Sequence, residues 1–114
     1  MQLDRADFEA LVEQALDEIP DEIRRQVHNL VVLVADDPPP DEPDLLGLYD
    51  GVSLTERSAD HGGLPDTITI FRRPLLAMCH TPDELVREVR ITVVHEIAHH
   101  FGIGEERLHD LGYG

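Results

Sequence analysis

Apolar residues recur at steps of three and four from Arg5 to Pro20, where Phe8, Leu11, Val12, Ala15, Leu16 and Ile19 fall on one face. This spacing predicts an amphipathic helix closed by Pro20, with a short helical turn after it. From Leu30 to Val34 the pattern becomes a largely β-branched run that is apolar on both faces, which predicts a central strand. Residues 36–44 hold four prolines and five acids, a composition that suits neither a helix nor a central strand and predicts an exposed connection. A second short strand is expected in "LLGLYDG", an irregular loop in "SADHGGLPD" and a third strand in "TITIFRR". In the third strand Thr67, Thr69 and Phe71 fall on one face, with Ile68 and Ile70 on the other.

The period returns to that of a helix from Thr81 to Gly102. Thr81 is placed to cap it, Pro82 suits the first helical position, Glu84 completes a capping box and Gly102 marks the stop. On a helical wheel Leu85, Val86, Val89, Val93, Val94, Ile97 and Phe101 spread over a wide arc, so most of the circumference is expected to be buried. The remaining strip carries Glu84, Glu88, Thr92, His95 and His99. The pattern thus predicts both helices and short strands along the chain.

With 114 residues, one domain over 1–114 is expected. The acidic start lacks the features of a signal peptide, and no apolar run reaches membrane-spanning length, so no membrane association is expected. The single cysteine, Cys79, cannot form an internal disulfide; it reads as a small buried residue in a cytoplasmic protein. The formal charge of −15 speaks against nucleic acid as a partner.

Chemistry concentrates in "HEIAHHFGIGEERLHD", residues 95–110, which holds four of the seven histidines and three glutamates. His95 and His99 are four apart, so a helix presents both imidazoles on one face, close enough to bind one ion. Zinc takes neutral imidazole nitrogens at about 2.0–2.1 Å, and a catalytic site adds a third protein ligand and leaves a position for water. Glu96 lies beside the strip and suits the role of general base toward that water. Gly102 reverses the chain, so the third ligand is sought just after it. Glu105 comes first within reach, with His109 the next choice and Glu106 and Asp110 also near. Iron, nickel or cobalt would accept the same donors.

The run "HEIAHHFGIGE" reads H-E-x-x-H-x-x-G-x-x-E and resembles the extended zinc motif of metzincin-type metallopeptidases, with Glu105 where histidine or aspartate usually stands. More widely, "LLGLYDG", "LPDTITIFRRPLL" and "VVHEIAHHFGIGEERLHDLGYG" resemble a bacterial family of small zincin-like metallopeptidases, the minimal zincins, over most of residues 28–114. The resemblance implies an α+β zincin core, a short, twisted, mostly antiparallel sheet packed on an N-terminal helix and a C-terminal active-site helix, with His95, His99 and Glu105 as zinc ligands and Glu96 as the base that cleaves peptide bonds with a zinc-activated water. It also implies an edge strand for a peptide or protein substrate, for which "TITIFRR" is the candidate. The methionine turn of metzincins has no counterpart, since Met1 and Met78 both lie upstream of the motif. The large subdomain that completes a typical cleft is also missing from the pattern, so a homodimer or a partner is a candidate for the other wall. The alternative is a non-catalytic metal-binding or protein-interaction module on the same core.

The remaining polar residues have plainer roles. His100 lies on the apolar side of the wheel, so it is expected to pack or to face a partner rather than share a metal with His95 and His99. Glu88 and Thr92 are candidates to orient an imidazole, or simply form a solvated helix face. His28, His61 and His80 read as surface residues. Tyr113 is either a hydrophobic plug or a donor to a developing oxyanion.

Overall fold

The computed structural model describes residues 1–27, 29–51 and 65–113. His28, His61 and residues 58–64 of the expected irregular loop lie outside these described residues. Helix α1 spans Arg5–Asp17 and is capped by the Asp4 side chain, which accepts from the Asp7 N–H at 2.8 Å. The expected turn after Pro20 is α2, Asp21–Arg24. Three strands follow, β1 (Leu30–Ala35), β2 (Gly47–Asp50) and β3 (Asp66–Phe71). Helix α3 (Arg72–Met78) precedes the long helix α4 (Pro82–Phe101), and α5 (Glu105–Asp110) comes last.

The fold is α+β, as the resemblance implies, but the strand order is β1-β3-β2. β3 therefore lies at the centre and the β1 run at an edge, the reverse of the sequence expectation. Periodicity reports which face of a strand is buried and is silent on its neighbours. Burial agrees with the observed order: Ile68 and Ile70 of β3 are fully buried, whereas Val31 and Leu33 of β1 are 40% and 48% exposed. The sheet is also mixed, since β1 runs parallel to β3 and β2 antiparallel to it.

The expected third strand stops at Phe71, and Arg72 and Arg73 open α3 instead. Pro74 is tolerated there because the N–H of a first-turn residue has no intrahelical partner to lose. Arg72 secures this junction by donating to Asp36 at 2.9 Å and to the Leu3 carbonyl at 2.7 Å.

Helix α4 carries its predicted signals. The Thr81 hydroxyl accepts from the Glu84 N–H at 3.1 Å, while the Glu84 carboxylate reaches back to the His80 N–H at 2.9 Å. Gly102 ends the helix at φ +70, a left-handed conformation that costs glycine little. α1, α2, α3, β2 and β3 all pack on α4. Val89, Val93 and Val94 form the middle of the core with Phe8, Leu75 and Leu85. Burying each such side chain contributes about 1.5–3 kcal/mol. Phe101 departs from the predicted arc and is 39% exposed, since the helix outruns the core by its last turn.

Cys79 is buried, as expected, and burial raises its thiol pKa, so it stays protonated and inert. Among the described residues, no helix is long and apolar enough to cross a membrane.

Candidate metal centre

His95 and His99 stand exposed on one face of α4, one turn apart, while the residues between them divide their surroundings. Ile97 and Ala98 are buried in the core, and Glu96 is half-buried. The alternation follows from the helical repeat: the same five residues anchor the helix and present the imidazoles.

After Gly102 the chain turns back. The Ile103 N–H donates to the Ala98 carbonyl at 2.9 Å, which starts α5 beside the exposed face of α4. Leu108 drives this short helix into the core, and Arg107 ties it to α2 through a forked ion pair with Glu22. In consequence His95, His99 and Glu105 line one cavity of about 330 Å3, together with Ile103, Leu108 and Tyr113. His109 does not line this cavity, nor do Glu106 and Asp110.

Glu96 is not among the residues that line the cavity; it lies beside β2 at the edge of the sheet. The backbone N–H of Tyr49 in β2 faces its carboxylate and favours the charged form. Burial lifts the Glu96 carboxyl above its ordinary range, opposed by the Tyr49 N–H and by His99 and His95. The Tyr49 ring stacks on His100, with centroids 4.0 Å apart, and meets Phe101 edge-on, and its hydroxyl donates to the buried Asp66 at 2.7 Å. His100 therefore packs against the edge strand, as the wheel predicts, although much of it faces solvent. Thr92 spends its hydroxyl on the Glu88 carbonyl at 2.8 Å.

The sequence profile of the zincin-like metallopeptidases matches residues 27–114. The chain belongs to that family. Its fold is similar to that of a conserved hypothetical protein from Thermo thermophilus, with a TM-score of 0.55 at 22% identity, covering 87% of this chain and 94% of that one. None of the curated proteins matches.

Zincin-like proteins bind zinc in general, and the donors here suit that ion: two imidazoles and a carboxylate on the walls of one cavity. Their arrangement is open. Among the described residues, no group of three or more His, Cys, Asp or Glu side chains is gathered to hold a metal. His95 Nε2 lies 2.9 Å from the carbonyl oxygen of Tyr113. Sequence reasoning weighed Tyr113 only for its ring and hydroxyl. A backbone carbonyl leaves no mark in the residue pattern, so nothing in the sequence could have revealed this contact.

Proposed function

We propose that this zincin-like protein is a zinc-dependent peptidase in which His95, His99 and Glu105 hold the metal and Glu96 is the general base. The observation that carries this reading is the shared cavity of His95, His99 and Glu105, with Glu96 beside it on the same helix. When bound, zinc supplies a Lewis acid that polarises a carbonyl and makes water more acidic. The Glu96 carboxylate then takes the proton from water and returns it to the leaving amine, a task suited to a carboxyl with a raised pKa.

The peptide is expected along β2 rather than along "TITIFRR", which forms the centre of the sheet as β3. Among the described residues β2 pairs with β3 alone, and it runs next to Glu96, so an extended chain laid against it would bring its carbonyl close to the base. A second copy or a partner protein is our candidate for the opposite wall, and the cytoplasm our candidate compartment.

The experiment pairs native mass spectrometry of untagged protein, before and after chelation, with a peptide-library assay of wild type and Glu96→Gln. One chelatable zinc on both proteins and cleavage by wild type alone is the expected result. Cleavage by Glu96→Gln with zinc still bound would sink the mechanism. The open arrangement of the donors favours a non-catalytic module as the second reading; zinc uptake without cleavage of any peptide would select it.

A further inference from the structure

Tyr113 is held at four points. Its N–H donates to the Leu108 carbonyl at 2.7 Å, and its side chain packs against the core. Its ring lies 5.9 Å from the guanidinium carbon of Arg90, a cation–π contact. Arg90 is itself steadied by Glu18, 3.5 Å away. The fourth point is the carbonyl oxygen on His95 Nε2.

This last contact restricts His95. A carbonyl oxygen only accepts, so Nε2 must carry the proton and donate it. A nitrogen that binds metal must instead present its lone pair, and one ring nitrogen cannot do both. We propose that residues 111–113 form a latch that competes with a metal ion for His95 Nε2, so that zinc loading requires the Tyr113 carbonyl to leave. The proposal rests on the zinc reading above and adds a regulatory element to it. The latch is released when metal wins, and it caps the metal-binding nitrogen when metal is scarce. Because Tyr113 also lines the cavity of His95, His99 and Glu105, its release would widen that cavity as the donors close on the ion.

The test uses the full chain and zinc alone. Hydrogen exchange at the Tyr113 amide, followed by NMR in wild type, is expected to show protection without metal and loss of protection after one equivalent of zinc. Tyr113→Ala removes the anchoring ring and is expected to bind zinc about 2- to 10-fold tighter, the range one such hydrogen bond is worth. Tyr113→Leu keeps the apolar packing and loses only the ring under Arg90, so it serves if the alanine variant folds poorly. Zinc bound with the Tyr113 amide still protected, or more weakly by both variants, overturns the latch alone. The second result would mean that the carbonyl orients a His95 that binds metal through Nδ1. Zinc bound by none of the three proteins overturns the latch and the zinc reading together.

Discussion

A Cβ built on Gly47 would lie 2.8 Å from the Cγ2 methyl of Thr92, so β2 rides against α4 at a separation only glycine allows. The methyl has little freedom to retreat, because the Thr92 hydroxyl is committed to the Glu88 carbonyl.

Gly47→Ala is therefore expected to destabilise the fold by about 1–3 kcal/mol through overpacking. Thr92→Ser removes the offending methyl and keeps the hydroxyl. Chemical denaturation of both single variants and the double variant checks the argument: Thr92→Ser should restore most of the stability that Gly47→Ala loses.

Glu105 and His109 are expected to separate on zinc affinity. Glu105→Ala is expected to weaken zinc binding by more than about 100-fold, beyond the loss typical of an outer partner. His109→Ala, which touches no part of the cavity, should stay within about 2-fold of wild type on general grounds of surface substitution. Competition with a chromogenic chelator measures both, and the opposite order would transfer the third ligand to His109.

At Gly102 the effect is conformational, since a Cβ there meets nothing within 4 Å but would have to adopt φ +70. Gly102→Ala is expected to cost about 1–2 kcal/mol, and Gly102→Asn less, because asparagine tolerates the left-handed region. Thermal denaturation checks the ranking. The alanine variant should also bind zinc more weakly, since the reversed turn brings Glu105 to the cavity.

The Glu22–Arg107 pair makes the attachment of α5 sensitive to pH. The hydrogen bond from Arg107 holds the Glu22 carboxyl below its ordinary range, with Arg107 and Arg25 charges adding to the effect against desolvation. A depressed carboxyl pKa contributes stability that is full above the unfolded value, about 4.3, and is lost as pH falls through the folded one. Wild type is thus expected to melt above Glu22→Gln at pH 7, with the gap closing below the ordinary carboxylate range and shrinking in high salt. Melting curves across pH check the sign, and a gap that widened in acid would contradict it.

How much of this was legible in the sequence depended on whether a residue's role is local. α4 was readable from end to end because Thr81, Glu84 and Gly102 act within a few positions of themselves, and so was the strip bearing His95 and His99. That Glu105 lines the cavity of His95 and His99 while His109 does not is a tertiary fact that spacing could only suggest. Strand order was not legible: Leu30–Val34 and "TITIFRR" exchanged places because burial on both faces does not say which strands lie alongside. α3 was missed because "FRRPLL" continues an alternating strand and carries no capping side chain to announce a helix. The Tyr49 N–H on Glu96 and the Tyr113 carbonyl on His95 are backbone groups, which every residue possesses, so no residue type could signal them.

The burial of Ile97 and Ala98 between the two exposed histidines has one more consequence. The spacer of the motif is also structural timber, so the motif cannot be transplanted as a five-residue cassette onto an arbitrary surface helix. It needs a host whose interior accepts isoleucine and alanine at those two positions. Within this chain, laboratory evolution that seeks to change the chemistry through the spacer will meet the melting temperature first.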